Sequence, residues 1–447
     1  MNAQDMVKLL ILFSLIFFTN KMLINDKNKY LNIILIIISI TILGWIVVTL
    51  RYNEIILGTL QYVYIQLPVL ILGFIFISVF SLKTFKIAID EIFLIIIISH
   101  SLITLYLTDK IENHVKFYSL LFTYIGMLFI ALILKSIRRT YNYIKILEII
   151  NYVAIVNFGL SILQYLTGKK LLLGVFNKGI YTIFSESSVM AKRVVGFAGT
   201  NNAAGAFSAM ILAITLYNYL RTKKKVALLG ILSSLFYSAL TLTRIGYLAI
   251  GIEFIIFFVM FNWNSRKELV NRVAVTVTGL IFIILTILLF GSDIYNKLFV
   301  QRGNTQQYRF EQYEFVSENI IPNNTFFNGI GLGQYRNYSF NTLAYSDIDM
   351  HSQYINILVE QGLFITIIFI LLNICVLIKA LKKANSILEK ACVISLFVAN
   401  LICCNFNPNQ DYHVNNFMYY LLIYCFIYKD DEVLKDNGEL GVESSDG

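Results

Sequence analysis

The sequence predicts an all-α polytopic integral membrane protein of about 12 transmembrane helices, with a large extracytoplasmic loop that contains short helices. Three observations carry this. The 447 residues are 57% hydrophobic and only 14% charged. Apolar runs recur near the length of about 20 residues that crosses a hydrocarbon core. Lys and Arg gather in clusters whose neighbours are separated by two apolar segments, the pattern of successive cytoplasmic loops. A spanning segment must satisfy its backbone hydrogen bonds internally, so helices are expected rather than the short alternating patterns of a barrel.

At the N-terminus, Lys8 precedes "LLILFSLIFF", which is like a signal sequence, but "TNKMLINDKNK" supplies no small-residue cleavage site. It reads as a retained first span. The runs 31–50, 226–242 and 273–291 contain no charge and read as further spans. The region of Gln61, Gln66 and Pro68 sets the total at 12 or 13 according to how it is counted. Basic clusters lie at Lys135, Arg138 and Arg139, at Arg221 and Lys223 to Lys225, at Arg266, Lys267 and Arg272, and at Lys379, Lys382 and Lys383. With these in the cytoplasm, the loops 167–200, 292–352 and 405–415 and the turn at Thr243 and Arg244 face the extracytoplasmic side. The polar tail, 431–447, is then cytoplasmic and reads as disordered. Residues 1–430 show no internal repeat and no linker, so they read as one transmembrane domain.

The formal charge of +9 is the surplus expected of cytoplasmic loops and implies no nucleic acid. All five cysteines lie in or at the ends of apolar segments without a CxxC pair, which suggests neither a disulfide framework nor a zinc site.

Two exterior loops break the charge rule. Lys169, Lys170 and Lys178 read as cations snorkelling to headgroups. Arg193 differs, because "GFAGTNNAAGAF" follows it and small residues there allow close backbone approach at the start of a helix. Arg244 sits where two apolar segments meet, at a cost of at least about 2.5 kcal/mol unless it is compensated. In the 292–352 loop, Arg309, Tyr313, Val316 and Ile320 follow helical spacing, with Glu311, Glu314 and Glu318 on an adjacent stripe. "IPNNTFFNGIGLGQY" then ends that amphipathic helix, and His351 stands at the mouth of the next span. Alone, His351 would read as an interfacial residue. Three arginines facing the same compartment make it a candidate general base: guanidinium groups give bidentate contacts to phosphate oxygens, and a neutral imidazole takes a proton from a sugar hydroxyl. Arginine can stabilise a diphosphate leaving group, and apart from Asp347 and Asp349 beside His351 the exterior loops show no metal-ligand spacing. A metal-independent reaction is expected, without a cofactor.

These motifs resemble the O-antigen ligase and polymerase superfamily. "NGIGLGQY", with Gly329, Gly331 and Gly333, is similar to its glycine turn; "HSQYI" is similar to its histidine motif; Glu360 and Gly362 match an E-x-G in the following helix. Upstream, "RVVGFAGTNNAAGAF" is similar to the family's arginine motif with looser asparagine spacing, and "LTLTRIGYL" to a second one with Thr243 in place of serine. The resemblance covers about residues 190–375 as a ligase/polymerase-like module. It implies a membrane glycosyltransferase of the C-like class in the bacterial inner membrane, acting at the outer face on undecaprenyl-diphosphate-linked oligosaccharides as donor and acceptor. Membrane lipids, a chain-length regulator and a flippase of the same pathway are the other implied partners. Arg193, Arg244 and Arg309 would hold the diphosphate, His351 would activate the acceptor, and Gly331, Gly333 and Glu360 would support them. Richness in Ile, Phe and Tyr is similar to the polymerases for O-antigen or capsule repeats. A ligase transferring the glycan to lipid A core, and a transporter of the same lipid-linked units that needs no histidine, stay open.

Overall fold

The computed structural model describes residues 31–53, 60–79, 86–107, 111–138, 142–183, 190–260, 305–345, 348–407 and 409–429, with the isolated positions 270, 273 and 277. The first apolar segment, the run 273–291 as a span, Asp347 and the tail 431–447 lie outside the described residues.

Helix α1 (Leu31–Thr41) is followed by an antiparallel hairpin of β1 (Val47–Asn53) and β2 (Leu60–Gln66), in which Val47 lies opposite Gln66. The run 31–50, expected as one span, is therefore divided between a short helix and a strand. Two features account for the division. The β-branched sequence from Ile46 to Thr49 suits extended backbone. The turn before it is pinned to the rest of the protein: Trp45 Nε1 donates to the Phe197 carbonyl at 3.0 Å, and a methyl group on Gly44 would lie 2.8 Å from Val414 Cγ2.

The helices α2 (Leu67–Val79), α3 (Ile89–Leu107), α4 (His114–Ile137) and α5 (Tyr143–Thr167) come next. A small hairpin, β3 (Tyr181–Ile183) with β4 (Met190–Lys192), leads to α6 (Asn201–Thr222), α7 (Lys225–Thr241) and α8 (Arg244–Val259). The remaining helices are α9 (Thr305–Asn319), α10 (Gln353–Lys383), α11 (Ile387–Phe406) and α12 (His413–Ile427). Among the described residues, five helices are long and apolar enough to cross a membrane: α4, α5, α6, α10 and α11. The chain is thus a multi-pass membrane protein, and the expected count of about 12 spans includes segments outside the described residues.

Helix α12 is the axis of the bundle. Every residue from His413 to Ile427 is buried, which requires an element apolar all round. Its neighbours α1, α4, α10 and α11 cover it, and its tyrosines form a ladder from Tyr419 to Tyr428. One end of the bundle is tied by ion pairs, Lys135 with Glu91 at 2.8 Å, Lys379 with Asp90, and Lys429 with Glu389 at 2.6 Å. Several of these groups are almost inaccessible to solvent, so each pair removes a charge that alone would be costly to bury. The opposite end collects the N-termini of α4, α6, α8, α10 and α12.

Helix α10 is interrupted there. Gly362 has φ 85° and ψ 175°, a conformation reserved for glycine, and the helical bonding breaks around it. Carbonyls freed at such a break need partners when buried. The glycine turn supplies them: Ile330 N–H donates to Val359 O at 3.0 Å and Gly331 N–H to Glu360 O at 2.8 Å, while Asn324 Nδ2 reaches Val359 O at 3.0 Å. Glu360 returns two bonds, its carboxylate accepting from the N–H groups of Gly333 at 2.9 Å and Tyr335 at 3.0 Å. The approach is too close for a side chain, since a methyl on Gly329 would sit 2.2 Å from Val359 O.

Gly329→Ala should therefore destabilise the protein by about 1–3 kcal/mol, because only backbone atoms could yield. Gly251→Ala in α8, where nothing lies within 4 Å of the added methyl, should be neutral or stabilise by about 0.5–1 kcal/mol. Thermal denaturation of detergent-solubilised protein reads both, and equal melting temperatures would contradict the clamp.

Candidate functional site

A cavity of about 240 Å³ opens between the starts of α6 and α8, the first turns of α9 and the end of α11. Arg244 and Arg309 both line it, with Asn202, Thr243, Tyr313 and Asn407, and apolar Ile245, Leu248, Phe310 and Phe406 form the remaining described wall. No acidic side chain is among the described residues that line it. Burial chiefly, and the neighbouring charge of Arg244 in addition, hold the Arg309 guanidinium below its usual pKa. Two guanidinium groups that line one cavity repel each other, a repulsion that an anion between them would relieve. Asn407 adds a further donor: it is 1% exposed, and its Nδ2 has no hydrogen-bond partner among the described residues.

Local sequence explains this convergence. Gly205 in α6 and Gly246 in α8 let the two helices cross backbone to backbone, a methyl on Gly246 lying 2.7 Å from Gly205 Cα. That contact sets the N-termini side by side, with Asn202 and Arg244 in their first turns. Both helix dipoles present their positive ends to the cavity.

Arg193 is placed behind this wall. It is 3% exposed; its Nε donates to Thr241 O at 3.0 Å and its Nη2 to Thr243 Oγ1 at 3.1 Å. Burial lowers its pKa to about 10, so it remains charged near neutrality. Thr243 Oγ1 in turn donates to Asn201 O at 2.9 Å. Arg193 thus braces the turn from which Arg244 emerges and ties it to the start of α6.

Helix α9 links the cavity to His351. Its buried face carries Gln312, Val316 and, just past its end, Ile320; Arg309 and Tyr313 are half-buried, and Glu311, Glu314 and Glu318 are exposed. Arg309 and Gln312 are three residues apart and so neighbours on one face. Gln312 Oε1 accepts the backbone N–H of His351 at 3.2 Å and lies 3.1 Å from its Nδ1. The amide Nε2 of Gln312 donates to Asp349 O at 3.4 Å. Ser352 caps α10 through its hydroxyl, which fixes the chain immediately after the imidazole. Before it, Lys116 at the start of α4 bridges Asp349 at 3.2 Å and Asp411 at 2.8 Å. Burial pushes the Asp411 carboxyl up while the Lys116 charge opposes it.

The structure therefore brings Arg244 and Arg309 to one cavity, sets Arg193 against its wall and His351 one helical turn away, and gives Gly331, Gly333 and Glu360 to the clamp that holds the α10 break. His413, at the start of α12, donates from Nε2 to Gly44 O at 2.6 Å, buried between Trp45 and Phe417. Sequence reasoning missed Gln312, Asn407 and the Lys116 bridge. Gln312 had a signal, an amide on an otherwise apolar stripe three residues after Arg309. The bridge had none, since its three members come from distant parts of the chain.

Residues 229–370, about a third of the chain, match the family model Wzy_C, described as O-antigen ligase. The match contains Arg244, Arg309, the glycine turn, His351 and Glu360; Arg193 and Lys116 precede it. No curated protein matches the chain.

The three arginines should separate by their effect on stability. Arg193→Lys loses the two-armed bracing of the Thr241 to Thr243 turn and should cost about 1–3 kcal/mol. Arg244→Lys and Arg309→Lys, whose side chains face a cavity, should stay within about 0.5 kcal/mol of wild type. Thermal denaturation measures all three, and a common loss would abolish the distinction.

Proposed function

We propose that this protein belongs to the O-antigen ligase and polymerase superfamily and is a polysaccharide polymerase that transfers an undecaprenyl-diphosphate-linked glycan onto the next lipid-linked repeat unit, on the extracytoplasmic face of a bacterial inner membrane. The observation that carries the reading is the pair of guanidinium groups at one cavity, joined by a single helix turn to the histidine. Arg244 and Arg309 hold the donor diphosphate, Asn407 adds a hydrogen bond, and Arg193 holds the turn on which Arg244 stands. The apolar wall of Leu248, Phe310 and Phe406 suits the first isoprenyl units of the carrier, which a free sugar nucleotide would lack.

In the reaction, an acceptor sugar hydroxyl attacks the anomeric carbon of the donor and its proton passes to neutral His351. The bond between that carbon and the diphosphate oxygen breaks, and undecaprenyl diphosphate leaves with the electron pair. The arginines are already oriented where negative charge develops, so they lower the barrier without reorganising. Asp349, two residues before His351, and Asp411 are both engaged by Lys116. The reaction is accordingly read as independent of divalent metal, with no cofactor.

The ligase reading is the second one, supported by the description of the matching family. In both cases the same bond breaks and only the acceptor differs. Surface glycan from a deletion strain, run on a gel, separates them: single repeats mean a polymerase, whereas polymer retained on its carrier means a ligase.

His351→Ala should accumulate unextended repeats while donor binding, supplied by the arginines, is largely kept. The loss in kcat should be on the order of 10²–10⁴-fold. Wild-type activity should persist in excess chelator and fall on acidification, because a protonated imidazole accepts no proton. Near wild-type turnover by His351→Ala, or activity restored to chelated enzyme only by magnesium or manganese, would refute the mechanism.

A further inference from the structure

We infer that Gln312 is the residue that selects the reactive tautomer of His351, fixing the proton on Nδ1 and leaving Nε2 as the basic nitrogen. The inference rests on the reading of His351 as general base and names a positioning residue for it.

The hydrogen-bond pattern determines the direction of each contact. A backbone N–H can only donate, so the Gln312 atom that faces the His351 amide at 3.2 Å must be its carbonyl oxygen. The other end of the amide confirms the orientation: Gln312 Nε2 meets the Asp349 carbonyl, which can only accept. The same Oε1 lies 3.1 Å from His351 Nδ1. An amide oxygen has no proton to give, so the bond exists only when Nδ1 carries one. In neutral imidazole the second nitrogen then holds the lone pair.

Gln312 is held well enough to impose this choice. Its side chain is fully buried on α9, between Arg309 three residues before it and Val316 four residues after it. Burial removes the competing water that would let a surface amide rotate. Oε1 also receives two donors at once, and losing either would leave a polar group unsatisfied. The arrangement couples the two halves of the site, because the helix that presents Arg309 to the cavity also orients the base. Charged groups around the histidine come from several elements: Asp349 on its own segment, Lys116 from α4, Asp411 before α12, and Arg309 on α9. All of them are unchanged in a comparison of Gln312 variants.

Full-length protein carrying ¹⁵N-labelled histidine, in lipid nanodiscs, tests the assignment directly. The chain has four histidines, and loss of one signal in His351→Ala assigns the resonance. At a pH where the ring is neutral, wild-type His351 should show the Nδ1–H pattern, whereas Gln312→Leu should revert to the Nε2–H form that imidazole prefers in water. An Nε2–H pattern in the wild type, or no change in Gln312→Leu, would overturn the inference.

Kinetics with the lipid-linked oligosaccharide extracted from the deletion strain supply an independent reading. Gln312→Leu should lower kcat roughly 10- to 100-fold with little change in donor KM. Gln312→Glu keeps an acceptor for Nδ1–H and adds a negative charge that favours imidazolium. It should keep the Nδ1–H tautomer and move the acid limb of kcat/KM up by about one pH unit. Combined with His351→Ala, neither variant should lower activity further. If His351→Ala is itself fully active, the general-base reading fails; if His351→Ala is inactive but Gln312→Leu has wild-type kcat, the tautomer assignment alone fails.

Discussion

The break in α10 at Gly362 is the constraint on which the rest of the site depends. An unbroken helix from Gln353 to Lys383 would satisfy its own backbone and offer nothing to the loop before it. The interruption exposes the carbonyls of Val359 and Glu360, and the glycine turn is the element that can approach closely enough to take them. Glu360 then fastens the far side of the same turn. The short N-terminal half of α10 becomes a rigid piece anchored at both ends, by the turn below and the Ser352 cap above. His351 precedes that cap, so its position follows from backbone bonding many residues away.

A second constraint acts between helices. Gly205 and Gly246 remove the side chains that would hold α6 and α8 apart, and the resulting contact places two positive helix ends at one opening. Into that field the fold sets two more positive charges, Arg244 and Arg309. The arrangement opposes stability: desolvation and mutual repulsion both disfavour it. Arg193 shows how a charge is treated when its role is structural, since it is buried against a carbonyl and a hydroxyl. The placement of both cavity arginines at one opening is what the proposal of a bound anion is built on.

The sequence made the helical membrane class legible through composition and charge alternation, because lipid leaves few backbone solutions. It also indicated the helix α9 and the glycine-rich turn, though α9 is not amphipathic as expected, since it exposes Phe310 and buries Gln312. Hydropathy failed at residues 31–50 because it records apolar content, and an apolar segment can form a strand as well as a helix. The arginines were visible as charges out of place, but charge alone does not distinguish a brace from a ligand-binding group. That difference lies in which carbonyls fold within reach. The Lys116 bridge was invisible for the same reason, since it joins Asp349 and Asp411 only after α4, the segment before α10 and the turn before α12 have been assembled.

Helix α9 resolves what these separate observations mean together. Its outer face carries glutamates to water and its inner face carries, in order, Arg309, Gln312 and Val316. A helix that needed only to cover the bundle would be satisfied by apolar residues at all three inner positions. Instead, one position faces the cavity, the next meets the histidine, and only the third is given to packing. Because a helix is stiff over one turn, the separation between the Arg309 charge and the Gln312 amide is fixed by backbone geometry. Any motion that carries Arg309 relative to the cavity carries Gln312 with it, and through Gln312 the His351 ring. On the proposed mechanism, donor grip and base orientation are therefore mechanically one variable, which is what a transfer enzyme needs if the acceptor is to be deprotonated only where the leaving group is held.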